Sequence, residues 1–129
     1  MNYIHIFVEM KKPPRSKERA KRYSEVDITD ENVALKEIII PYVKGDKRIL
    51  IGGSFVSSSD IEKMEVFSST EDSTAIYNDV SAENDAQARR MAAQNVIGFG
   101  ATTTVYTAIY KRAENITSKI LRDAKASEV

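Results

Sequence analysis

The chain contains no cysteine and no tryptophan, one histidine at position 5, three prolines and five glycines in 129 residues. Without cysteine there is no disulfide framework, no thiolate nucleophile and no sulfur ligand for a metal, and a reducing cytosol suits such a chain. Lys plus Arg and Asp plus Glu both number 19, so no global field draws the protein to nucleic acid or to an anionic membrane. No run approaches the ~18 apolar residues of a membrane span. In the N-terminal "MNYIHIFVEMKK" the cations follow the apolar run, the reverse of a signal peptide. The expectation is a soluble, cytoplasmic protein whose electrostatics arise from local clusters.

The hydrophobic fraction of 42% at this length suits one domain with its own core, here expected to span residues 1–129. In "YIHIFVEM", Ile4, Ile6, Val8 and Met10 alternate with Tyr3, His5, Phe7 and Glu9, which predicts a strand over Tyr3 to Met10 with a partly apolar second face. Pro13 and Pro14 end it, and "RYSEVDI" predicts a second strand from about Tyr23. Thr29 or Asp30 caps a helix whose stripe includes Leu35, Ile38, Ile39 and Tyr42; Pro41 predicts its end or a kink at Ile40. Strands follow at Arg48 to Ile51, Ser54 to Val56 and Ile61 or Glu62 to Phe67, with turn chemistry that suggests an antiparallel meander. The first 68 residues thus read as a β-rich core with a helix over 30–40.

Residues 69–129 read as a mixed helical and strand extension. The alanine- and acid-rich stretch after Ser69 predicts a helix capped at Thr70 or Ser73, continued or followed by another through "AENDAQARRMAAQ". "NVIGFGATTTVYTAIYK" returns to strand-forming types, a hairpin or strand, with a helix beginning in the threonine run as the alternative. "ENITSKILRDAKASEV" predicts a short helix capped at Asn115 or Thr117. The fold class is α+β: a small, mainly antiparallel sheet or half-barrel packed by one amphipathic helix, with helical C-terminal additions.

The sharpest local cluster is "KKPPRSKERAKR", Lys11 to Arg22, with seven cations against one acid. Such a run can neutralise phosphates, but it has no aromatic residue on which bases would stack, so a solvated connection between strands leads and phosphate contact is the alternative. His5 has no second histidine or cysteine to complete a metal site. "GFGATTT" lacks the lysine of a phosphate loop and the three-glycine dinucleotide spacing, and is a weak anion-site candidate. The carboxylates of "TEDS" and "SAENDA" lack the donor series of a calcium loop and read as helix caps. No cofactor, metal or catalytic constellation is implied.

Three stretches taken together, "ALKEIIIPYVKGDKRILIGGSFVSSSDIEKMEVFSS", "VIGFG" and "ENITSKIL", resemble the small N-terminal modules that precede Toll/interleukin-receptor-like nucleotide-binding or other effector domains in bacterial antiphage defence proteins. The resemblance covers roughly Tyr23 to Leu121 and implies a non-enzymatic regulatory module, sensing a ligand or self-associating, with an effector domain downstream. For a nucleotide-like anion the candidate residues are Lys11, Lys12, Arg15, Lys17, Arg19, Arg89 and Arg90 for charge and Tyr77, Tyr106 and Tyr110 for stacking. The alternative is a free-standing protein that sequesters a nucleotide signal or, less favoured, binds nucleic acid. The apolar second face of the first strand, with Tyr3 and Phe7, leads to the expectation of a homo-oligomer, a dimer.

Overall fold

The computed structural model describes residues 2–15, 17, 19–93 and 103–127. Among them, strands β1 (Tyr3–Met10), β2 (Arg22–Ile28), β5 (Ile61–Ser69) and β6 (Glu114–Asn115) form one antiparallel sheet in the order β2-β1-β5-β6. A separate hairpin, β3 (Ile49–Ile51) with β4 (Ser54–Val56), makes a second small sheet. The expected meander is therefore broken: β5 pairs with β1, from Tyr3 opposite Ser69 to Met10 opposite Ile61, and not with β4. The fold is α+β, a mainly antiparallel sheet against helices.

Alternation along β1 decides the layering. Ile4, Ile6 and Val8 face a core shared with Met64 and Val66 of β5, with the inward residues Ile49, Ile51 and Val56 of the hairpin, and with Ile38, Ile39, Ile120 and Ala124. These last come from the helical segment that begins after Asp30 and from α5 (Thr117–Ser127). The other face, carrying Phe7 and Phe67, is covered by Ile76 and Val80 of α3 (Ser73–Ala93) and by Tyr106, Ala108 and Ile109 of α4 (Val105–Arg112). Both faces are thus packed, and burying large side chains such as Phe67 and Ile6 contributes about 1.5–3 kcal/mol each. The Phe7 face, expected to need a second chain, is instead covered by the chain's own C-terminal helices.

The helix after Asp30 runs as α1 (Glu31–Ala34), a π-helical stretch (Leu35–Ile39) and α2 (Ile40–Lys44). Asp30 caps it as expected, its carboxylate accepting from the Asn32 N–H at 2.9 Å. Pro41 does not end it. The wider π turn, in which the Ile40 N–H reaches the Leu35 carbonyl, absorbs a residue that has no N–H to give and whose ring crowds the turn before it. The stop comes at Gly45, at φ 82°, where the N–H groups of Gly45 and Asp46 return to the carbonyls of Tyr42 and Pro41.

The C-terminal half departs most from expectation. After Ser69 one helix of 21 residues forms, and its cap is Asp72, which accepts from the Ala75 N–H at 2.8 Å. Residues 105–112 are helical, so the threonine-run alternative holds over the strand reading: Thr104 and Thr107 form a reciprocal capping box. Val96, Ile97, Phe99 and most of "GFGATTT" lie outside the described residues. α5 follows the Asn115 signal, since that side chain accepts from Thr117, whose hydroxyl in turn accepts from the Val66 N–H at 2.8 Å. No helix among the described residues is long and apolar enough to cross a membrane.

Candidate functional site

α4 begins at Val105, and among the described residues one end of the second sheet face is left open. The register builds that open area row by row. Ser24, Phe7 and Glu65 lie side by side across β2, β1 and β5, and Arg22, Glu9 and Lys63 form the next row toward the β1–β2 connection. With Val105 and Tyr106 of α4 they line a groove of about 320 Å³, a size within the range of small-molecule sites.

Its floor is aromatic. Phe7 meets Tyr106 edge-to-face at 5.1 Å between ring centroids and Phe67 at 5.9 Å, the geometry favoured by the ring quadrupole. The Tyr106 phenol donates to Glu65 Oε1 at 2.8 Å. Burial, followed by that bond to a carboxylate, pushes its ionisation up to about 12. The rim is charged. Arg22 reaches Glu9 at 3.4 Å and Lys63 reaches Glu65 at 3.5 Å, yet the side chains of Arg22 and Lys63 are 74% and 61% exposed. Exposed pairs of this kind are worth ~0–1 kcal/mol, so both cations can turn to a ligand anion at little cost.

The sequence-predicted residues divide. Tyr106 lines the groove. Lys11, Lys12, Arg15, Lys17 and Arg19 are exposed on the β1–β2 connection, whose base is closed by the Met10 N–H donating to the Lys21 carbonyl, beside the Arg22–Glu9–Lys63 row. Tyr110 packs against Phe67 and Tyr106 at 6.0 Å but does not line the groove. Tyr77 lies half-buried in the first half of α3, and Arg89 and Arg90 are exposed in its last turns; the structure does not bring these three to the groove. Arg22, Lys63, Glu65 and Ser24 were missed. Alternation places Lys63 and Glu65 on the Phe67 face, but only strand order sets them beside Phe7.

His5 occupies a different place, one row along β1 from Phe7, and is fully buried. A bulge opposite it shifts the β1–β2 register between Ile4 and Ile6 and puts Asp27 at φ 60°. This turns the Asp27 N–H onto His5 Nδ1 at 3.1 Å, while the Asp27 carboxylate accepts from the Ser73 N–H and hydroxyl at 2.7 and 2.6 Å. Because Nδ1 accepts, the neutral ring carries its proton on Nε2 and donates to Ser69 Oγ at 2.8 Å, and Ser69 donates to the Glu71 carbonyl at 2.6 Å. Burial holds the His5 pKa below its ordinary value, against the opposing pull of Asp27 and Asp72.

The residue types are those of a Ser-His-Asp triad but the proton order is reversed. A base for Ser69 would need a free Nε2 and an Asp27 carboxylate accepting from Nδ1–H; here Nε2 donates and the Asp27 main chain occupies Nδ1. The arrangement therefore fastens β1, β2, β5 and the N-terminus of α3 together. Among the described residues no three His, Asp or Glu side chains converge to hold a metal ion. The chain matches no protein-family model, no curated protein and no solved structure.

Proposed function

We propose that the protein is a non-enzymatic binding module for a small planar anion, with a nucleotide as the natural chemical class. The observation that supports this is the groove itself: an aromatic floor of Phe7 and Tyr106 beside two exposed cations, Arg22 and Lys63, at the base of a basic connection. A planar ring would lie against Phe7 and Tyr106, and its phosphate or carboxylate would displace Glu9 and Glu65 from the two cations. The buried, proton-locked His5 supports the non-enzymatic half of the reading. A sensor of this kind is what the resemblance to defence-effector modules implies, with the bound anion read out by an attached effector; a free-standing sequestering protein would use the same groove.

The test is calorimetric titration with adenosine monophosphate, cyclic mononucleotides and cyclic dinucleotides, on the native protein and on Arg22→Glu/Lys63→Glu. Binding by at least one of these, weakened about tenfold or more by the double reversal at unchanged melting temperature, is the expected result. No binding across the panel, or binding indifferent to both reversals, overturns the proposal. Binding to arbitrary RNA or DNA that falls steeply with salt would move the function to nucleic acid.

A further inference from the structure

The charge of this chain sums to zero but is separated along β2. At its start stand Lys11, Lys12, Arg15, Lys17, Arg19 and Lys21, all exposed on the connection and none in an ion pair among the described residues. At its other end, a second groove of about 370 Å³ opens between β2, α1 and the β3–β4 hairpin. Its lining includes four acidic residues and no lysine or arginine: Glu25 and Asp30 accept from the N–H groups of Gly52 and Asn32, the Asp27 carboxylate is held by Ser73, and Glu37 is exposed. Among the described residues no lysine or arginine pairs with any of the four.

The same groove is edged by apolar side chains left in solvent. Leu50 is 52% exposed and Val33 43%. Leu50 lies directly opposite Phe55 in the hairpin, so the apolar area continues past the groove to Phe55, which is 61% exposed and carries Arg48 over its ring at 4.3 Å. The inward residues Ile49, Ile51 and Val56 anchor the hairpin in the core, which fixes this outer face in place.

We infer that this acidic, apolar-edged groove receives the basic β1–β2 connection of a second copy of the chain. The occupant follows from charge complementarity: the groove is lined by acids and by no lysine or arginine, and this chain's own connection is a cluster of exposed cations outside any ion pair among the described residues. β2 spans seven residues, or about 20 Å, between connection and groove. Two copies set antiparallel about a two-fold axis therefore place each connection in the other's groove, making both contacts at once and closing the assembly as a dimer. The inference goes beyond the ligand reading and uses none of Phe7, Arg22, Lys63 or Tyr106, so either can fail alone.

Sedimentation equilibrium at 50 and 500 mM salt tests it, with Lys17→Glu/Arg19→Glu as the connection variant and Glu37→Lys as the groove variant. Glu37 is exposed and Lys17 and Arg19 lie on the connection, so neither variant disturbs the core. The expected results are a dimer at low salt that weakens at least tenfold at high salt, and monomers for each variant alone. Mixing the two variants should restore a dimer, because one contact is then native and the other charge-swapped. A monomer at all concentrations, or a dimer indifferent to salt and to both variants, overturns the inference. So does a mixture that fails to reassociate when each variant alone has lost the dimer.

Discussion

The single histidine makes one prediction unusually clean, because no other side chain in the chain has an ordinary pKa near 6.5. In the folded state His5 is fully buried and neutral, its Nδ1 accepting from the Asp27 N–H. Protonating Nδ1 would set hydrogen against hydrogen and strip that N–H of its acceptor. Asp27 Oδ1, 3.8 Å from Nδ1, offsets part of this cost, but burial outweighs it and the folded pKa lies below 6.5. The unfolded chain thus binds more protons than the folded one between the folded pKa and 6.5. Stability is then fully present above about pH 7.5 and is lost as pH falls through 6.5, at up to about 1.4 kcal/mol per pH unit. His5→Leu removes the titration and leaves the Asp27 N–H without its acceptor, at a cost of about 1–3 kcal/mol at pH 7.5. Urea unfolding followed by circular dichroism at pH 7.5, 6.5 and 5.5 should show the native protein losing stability over that range, by at most about 1.4 kcal/mol, while the variant changes less, so that the two curves converge. Parallel curves, or a native protein that gains stability toward pH 5.5, would refute the neutral, burial-dominated histidine.

Gly52 and Gly53 share a positive φ but not their surroundings. A Cβ at Gly52 would collide with the Ser24 carbonyl, while one at Gly53 meets nothing within 4 Å. Gly53→Ala should cost about 1 kcal/mol for its backbone conformation, and Gly52→Ala at least twice that by pushing the hairpin off β2; equal losses in thermal unfolding would contradict this packing. Tyr106→Phe removes a hydrogen bond to a carboxylate and should cost about 1–2 kcal/mol at pH 7. In an alkaline absorbance titration the same change should delete a tyrosine ionisation at about 12. Since the folded state holds that proton more tightly, stability should fall as pH rises from 10 toward 12, and a variant showing the same alkaline profile as the native protein would count against the Tyr106–Glu65 bond.

What could be read from the sequence was periodic or local. Alternation in "YIHIFVEM" assigned Ile4, Ile6 and Val8 to one face, and the Asp30 and Asn115 signals placed two helix starts, because a cap works through bonds within two or three residues. Pro41 marked an irregularity rather than a stop: its local penalty is met by the π stretch that gives way to α2 at Ile40, and the packing of Ile38 and Ile39 into the core carries the helix on to Gly45. Residues 105–110 have strand-forming composition, yet the Thr104–Thr107 box and burial of Ala108 and Ile109 against Phe67 make them helical.

Strand order had no comparable local signal. That β5 returns to pair with β1, and that β2 bulges opposite His5, follow from long-range packing, and these decide which side chains become neighbours. The sequence by itself determined the alternating faces, two of the helix starts and the separation of charge into a basic connection and scattered acids. Only the tertiary structure gathered Phe7, Arg22, Lys63 and Tyr106 around one groove and four carboxylates around another, because each set comes from elements far apart in the chain that only packing around a common core brings together.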